Sequence, residues 1–289
     1  MALLLSVLEQ GMIYGILALG VYITYKILDF PDLTVDGSFP FGAAITVRLI
    51  NGFGVPAILT LPIAFLGGAL VGICTGLIHV KLKVRDLLSG IIMMTGLYTI
   101  NLWVAGSGYV AIFDKDNIFN NNFVNSITPD FLVNFKNVII IFLITMVAKY
   151  LLDWYMSTKS GFLLRAVGDN DTIVTSLGVD KGLVKIVGLS IANGLVSLSG
   201  CIYAQQQRSF EISIGTGAVV IGLASVIIGT SLFKKVTFFC VTSSVVVGSI
   251  LYKACVAVAM FAGISPNAIK LITAVSVSYT HLRAHETGA

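Results

Sequence analysis

Leu61-Pro-Ile-Ala-Phe-Leu-Gly-Gly-Ala-Leu-Val-Gly-Ile-Cys-Thr-Gly-Leu-Ile-His-Val80 is the stretch on which the fold turns. It carries no aspartate, glutamate, lysine or arginine, and its apolar side chains fall on every face of the helix they would form. A helix of about 20 residues crosses the roughly 30 Å of a hydrocarbon core. One that is apolar all round needs lipid or a large protein core as its solvent. Gly68, Gly72 and Gly76 recur every fourth residue, so one face is smooth enough for a second backbone to lie against it. A strand of a membrane barrel would alternate in polarity as it faced lipid and lumen in turn, and this stretch does not.

The same texture recurs along the chain. Hydropathy places spans near residues 4–28, 40–50, 55–80, 87–105, 138–156, 186–205, 214–233 and 236–262, and a ninth begins near Asn267. The expected fold is therefore all-α, a polytopic transmembrane helix bundle of about eight or nine spans. The second span is too short to cross alone and is expected as a broken helix, either buried in the bundle or joined at an angle to its neighbour. Composition agrees: 56% of residues are hydrophobic and 11% charged, with a mean hydropathy of +0.95, whereas about a quarter of a soluble domain is charged. Met1–Leu5 has no basic run and no small-residue cleavage site follows it, so the first span is expected to be retained. Residues 1–276 read as one transmembrane domain. From Val277 the chain turns abruptly polar, and residues 277–289 are expected to be a non-native tail that cuts the last span short. His281 and His285 within it are not read as ligands.

Lysine and arginine sort to two sides. One side collects Lys26, Lys81, Lys83, Arg85, Lys159, Arg165, Lys181, Lys185, Lys234 and Lys235, and the other holds Arg48, Lys115, Lys136, Arg208 and Lys270. The richer side is expected to be cytoplasmic. That puts the N-terminus and the polar loop Ser107–Asp130 outside, the loop being either a solvated connector or a meeting place for a delivery protein. Gln205, Gln206, Gln207 and Glu211 fall at the same outer mouth and carry the same two readings. Cys74, Cys201, Cys240 and Cys255 lie in apolar stretches without metal-ligand spacing and are expected to pack. His79 has no second histidine nearby and is assigned no chemistry.

Ser160-Gly-Phe-Leu-Leu-Arg-Ala-Val-Gly-Asp-Asn-Asp-Thr-Ile-Val-Thr-Ser-Leu-Gly-Val179 falls in a cytoplasmic loop. Asp169 or Asn170 can cap a short helix, and Gly178 can adopt the left-handed conformation that ends it. Ile173, Val174 and Leu177 share one face of that helix, which water disfavours, so either a partner's groove or the chain's own bundle must cover them. Arg165 either joins that contact or anchors the loop at lipid headgroups.

Further polar residues fall at membrane depth. Asp29, Asp32, Thr34, Asp36 and Ser38 precede the short second helix, with Ser38 as its expected N-cap and Pro40 in its first turn. The run either lines a translocation route or is solvated at the cytoplasmic surface, and the lysine-rich flanks favour solvation. Tyr98, Asn101, Asn193 and Ser225 are candidates for the same route, although buried asparagines also serve to bridge helices. Lys253 lies deep in a span, where a charge costs at least about 2.5 kcal/mol, and is expected to snorkel outward.

Three stretches carry a family resemblance. Gly161–Val179 followed by Ile186-Val-Gly-Leu-Ser-Ile-Ala-Asn-Gly-Leu195 resembles the cytoplasmic coupling loop and next helix of ATP-binding-cassette (ABC) transporter permeases of the branched-chain amino acid and ribose importer superfamily. Gly11–Gly20 with Asp29–Ala44 is similar to the first span and short second helix of its amino-acid branch, often aromatic amino acids, and Gly222–Gly229 is a third match. The resemblance implies a multi-pass permease in a bacterial inner membrane, acting as a homodimer or a pair of related permeases. It also implies a cytoplasmic ATP-binding subunit docked on Arg165–Leu177 and an extracytoplasmic solute-binding protein. ATP would lie on the partner subunit, in keeping with a sequence that contains no phosphate-cradling Gly-x-x-x-x-Gly-Lys-Ser/Thr loop. No cofactor, nucleic-acid partner or catalytic chemistry of this chain is expected. The alternatives are an ion-coupled secondary transporter, which would be expected to carry more ionisable residues within its spans, and a sugar or nucleoside importer of the same superfamily.

Overall fold

The computed structural model describes residues 2–112, 115–121, 124, 126, 135–176, 178–234 and 240–263. Leu177, the ninth span, the 277–289 tail and part of the outer loop lie outside them. Seven helices among the described residues are long and apolar enough to cross a membrane.

Helix α1 (Ala2–Val21) is apolar on all sides and continues as a π-helical turn, Tyr22–Ile27. Helix α2 (Val35–Phe53) follows, then α3 (Thr60–Lys81) and α4 (Asp86–Ala105). A strand β1 (Tyr109–Ala111) leads through the outer loop to α5 (Lys136–Met156). Two short helices come next, α6 (Lys159–Asp169) and α7 (Asp171–Ser176). The long α8 (Lys181–Gln207), strand β2 (Ser209–Glu211), α9 (Ala218–Leu232) and α10 (Val241–Phe261) complete the described bundle. The antiparallel β1–β2 ribbon pairs Tyr109 with Glu211 and ties the outer ends of α4 and α8 together.

Helices α1 and α8 are the most buried spans and form the middle of the bundle. Glycine sets how closely the others approach. The carbonyls of Asn193 and Leu189 on α8 occupy the space that side chains at Gly68 and Gly72 of α3 would need. Gly42 lies on the Ser197 carbonyl, and reciprocally Gly200 lies on the Phe39 carbonyl, which locks α2 to α8. Lipid supplies no hydrophobic drive between spans, so close van der Waals contact of this kind does much of the holding.

The second helix is longer than its hydropathy indicated. It starts at Val35, not near residue 40, because Thr34 and the Asp32 carboxylate organise its first turn: the Thr34 N–H donates to Asp32 Oδ1 at 2.8 Å. Ser38 is therefore inside the helix and is not its N-cap. Pro40 cannot donate to the Asp36 carbonyl, and Gly215 closes against that carbonyl and the proline ring.

Lys253 does not snorkel outward. Its Nζ lies 3.7 Å from the centroid of the Tyr14 ring, where the face of the π system accepts a cation. A partly buried ion pair, Lys149 with Asp153 at 2.9 Å, lies near the other end of the bundle, and Asp153 also accepts from the Thr242 hydroxyl at 2.7 Å, joining α5 to α10. Gln205 is buried, so it offers nothing to a visiting protein. It donates to Thr60 Oγ1 at 2.9 Å and accepts from the Ile118 N–H at 3.0 Å, pinning the outer loop.

Candidate functional site

The lysine-rich ends of the helices gather at one end of the bundle: the His79 ring meets Phe30 edge-on at 5.1 Å, and Gly182 sits against Val80. His79 Nδ1 also lies 2.9 Å from the Val84 carbonyl, a packing role. Here the cytoplasmic loop forms two helices where the sequence pointed to one. Thr158 caps α6 by accepting from the Gly161 N–H. Asn170 is extended (φ −160°, ψ 102°) and separates α6 from α7. Helix α7 ends with the Gly178 N–H bonded to the Thr175 carbonyl and the Val179 N–H to the Val174 carbonyl, Gly178 being left-handed at φ +75°. That pair of bonds is a Schellman cap.

Helix α6 presents two faces. Gly161, Leu164 and Val167 are buried: Gly161 lies on the Tyr155 carbonyl, and Leu164 fills the space beside Gly188 of α8. Gly168, one position on, lies on the Ile27 carbonyl, where the π-helical turn ends. The opposite face carries Phe162, 59% exposed, with Arg165 and Asp169 at helical spacing, and Asn170 follows, also exposed. Val174 is wholly buried, and α7 packs on α6 and α8, so the chain's own bundle covers this position.

At mid-depth the polar run folds into a brace and is not solvated as a unit. Asp29 is exposed, but Asp32, Thr34 and Ser38 are buried. Asn193 Nδ2 donates to Asp32 Oδ2 at 2.8 Å, and Asn193 Oδ1 accepts from Ser38 Oγ at 2.6 Å. Thr34 and Thr75 join hydroxyls at 3.1 Å. Asn101 Nδ2 donates to the Gly37 carbonyl at 3.1 Å, which fixes α4 to the start of α2. The Asp36 carboxylate accepts from the N–H groups of Gly217 at 3.0 Å and Val219 at 2.8 Å. It caps α9 from another helix, with a negative charge at the positive end of the dipole. Ser225 turns its hydroxyl to the Ile221 carbonyl of its own helix. Tyr98 and Asp29 are the exposed residues among the sequence-derived route candidates, and Tyr98 shares the outward face of α4 with Thr95, Gly96 and Thr99.

A family model described as branched-chain amino acid transport system / permease component matches residues 3–275. The chain belongs to that permease family. It is 42% identical to the tyrosine transport system permease protein of Clostridioides difficile (strain R20291) over 275 residues, which are 95% of this chain and 88% of that protein. It is 26% identical to the probable branched-chain amino acid transport permease protein LivH of Methanocaldococcus jannaschii, covering 74% of this chain and 70% of that one. The ribose import permease protein RbsC of Escherichia coli (strain K12) is also 26% identical, with 78% and 68% covered. No solved structure matches the chain.

In this permease, then, the candidate residues divide. Asn193 and Ser38 bond each other across helices, Asp36 caps α9, and Asn101 donates to α2 while its Oδ1 is buried without a hydrogen-bond partner among the described residues. Arg165, Asp169 and Asn170 are exposed at the cytoplasmic end. Phe162 joins them and was missed, although Phe162, Arg165 and Asp169 at positions i, i+3 and i+7 lie along one face. The reading of the loop started its helix at the capping residues Asp169 and Asn170, one helix too late.

Proposed function

We propose that this permease is the membrane-spanning subunit of an ABC importer for an amino acid in a bacterial inner membrane, with tyrosine as the first solute to test. ATP is bound and hydrolysed by a separate cytoplasmic subunit, and the chain itself performs no catalysis. The observation that carries this reading is the two-faced helix α6. One side is fixed to the bundle through Gly161, Leu164 and Gly168, while the other offers an aromatic side chain flanked by opposite charges. Burying an aromatic of this size contributes about 1.5–3 kcal/mol, and aromatic and arginine side chains are the residues that most often dominate a docking surface.

Movement delivered at Phe162, Arg165, Asp169 and Asn170 reaches the spans through contacts already made. Gly168 bears on the end of the π-helical turn of α1. The chain then runs directly into Asp32 and α2, and Asp36 holds the start of α9. Gly178, exposed, belongs to the neighbouring segment, while Leu177 and the side chain of Ile173 lie outside the described part of the molecule. Solute passes along the outward face of α4, lined by Tyr98, Thr95 and Thr99. Thr95 returns its hydroxyl to the Ile91 and Ile92 carbonyls, and Ile92, Ile100 and Trp103 are exposed on the same helix. It is therefore Tyr98 and Thr99 that favour a second permease across a water-filled path as the neighbour. A solute-binding protein delivers the amino acid to the outer mouth.

The test is co-expression with its proposed ATP-binding and solute-binding partner proteins and purification through a tag on the permease. A stable assembly whose ATP hydrolysis rises when the tyrosine-loaded binding protein is added supports the reading. A permease that purifies without the ATP-binding subunit and takes up solute with an ion gradient overturns it. The tyrosine assignment rests on the 42% identical relative, and stimulation by a different solute would revise it alone.

A further inference from the structure

Between α3 and α5 is a groove that no helix among the described residues fills. Helix α3 lies close on α8 through its glycines, α5 leans instead on α1, and α8 forms the floor between them. The groove has a volume of about 720 Å³, and its walls, with Leu66, Val147 and Leu151 on the flanks and Ile191 and Leu195 on the floor, carry almost no polar surface. Apolar walls of this kind do not hold water. A void of that size would forfeit the packing contacts of every residue around it. In a bilayer an acyl chain is the apolar occupant at hand, and it is thinner than the roughly 10 Å of a helix.

The cytoplasmic end of the groove gives the occupant a headgroup. Two of the bounding segments carry cations towards that end: Lys159 just past α5, and Lys185 in the first turns of α8. Trp154, 69% exposed, stands at the same end, and its neighbour Tyr155 bonds Ser160 through its hydroxyl at 2.9 Å. Indole and phenol rings favour the depth of the headgroups, and lysines near that surface attract anionic lipid. We propose that this groove is a seat for an anionic phospholipid of the cytoplasmic leaflet, its acyl chain between α3 and α5 and its phosphate at the lysines beside Trp154. The seat needs only the bundle in a bilayer, and it is independent of which solute crosses.

The chain has two tryptophans, so Trp103→Phe leaves Trp154 as the sole fluorophore. In nanodiscs of phosphatidylcholine, acyl-brominated phosphatidylglycerol is expected to quench Trp154 half-maximally at about a tenfold lower mole fraction than brominated phosphatidylcholine with the same chains. The surface pair Lys159→Gln and Lys185→Gln is expected to abolish that preference while the folded yield is unchanged. Ile191→Phe, which fills the floor, is expected to lower quenching by both lipids. Equal quenching by the two lipids in the starting protein overturns the proposal, as does a preference that survives both sets of substitutions. Cross-linking of two copies through Val147→Cys, with the four native cysteines replaced, would show that a second chain covers the groove and would also overturn it.

Discussion

Asn193, midway along α8, donates a hydrogen bond to Asp32 Oδ2 at 2.8 Å, joining residues 161 positions apart. Its Oδ1 accepts from Ser38 at the same time, so one amide fixes both the approach to α2 and its first turns. Replacing it with leucine strands a buried carboxylate and a buried hydroxyl, at a cost of about 1–3 kcal/mol for the first group alone. We expect Asn193→Leu to lower the unfolding temperature of the detergent-solubilised permease and to reduce its yield. Unchanged thermal stability would mean that the brace contributes nothing.

The Asp36 carboxylate supplies the start of α9 with the acceptors that its own Gly217 cannot offer. Asp36→Ala is expected to cost about 1–2 kcal/mol, in the range of a lost cap, and Asp36→Asn less because one oxygen remains. Hydrogen exchange at Gly217 and Val219 should speed up in the alanine variant ahead of the rest of α9. Equal protection in both variants would count against the cap.

At Gly168 a β-carbon has no room against the Ile27 carbonyl. Gly168→Val should push α6 away from the π-helical turn without entering the core of the spans. A loss of about 1.4 kcal/mol in local stability corresponds to about tenfold faster amide exchange, and it should be confined to α6 and α7. In the assembled importer, ATP hydrolysis should continue with little uptake, because docking survives and transmission does not.

Phe162 and Arg165 point away from the bundle, so their replacement should leave folding intact. Phe162→Ala with Arg165→Glu is expected to weaken capture of the ATP-binding subunit roughly tenfold to a hundredfold, the equivalent of about 1.5–3 kcal/mol. Val174→Asp should behave differently. It buries an unpaired charge in the chain's own packing and should lower folded yield before any question of docking arises.

The spans were legible because the bilayer imposes one strong rule, and residues such as Leu61–Val80 satisfy it on every face. Helix α2 was read too short for a physical reason. Its first turns contain Asp36, Gly37, Ser38 and Pro40, and their polarity is offset by partners on α4, α8 and α9 that hydropathy does not register. The same gap hid the brace: Asp32 looked solvated because its lysine-rich neighbours are, and only the packing shows that Asn193 reaches it. The cap at Gly178 is visible because capping is local chemistry, whereas the burial of Val174 depends on where α7 lies against α8. The family was legible from short stretches in order, and the match over residues 3–275 agrees with it.

Uptake of radiolabelled tyrosine into proteoliposomes holding the permease, its ATP-binding subunit and the loaded solute-binding protein tests the central claim most directly. The account predicts accumulation that persists when ionophores collapse all ion gradients and stops when the ATP-binding subunit carries a replaced phosphate-loop lysine. Uptake that survives that replacement and vanishes with the ionophores would contradict it.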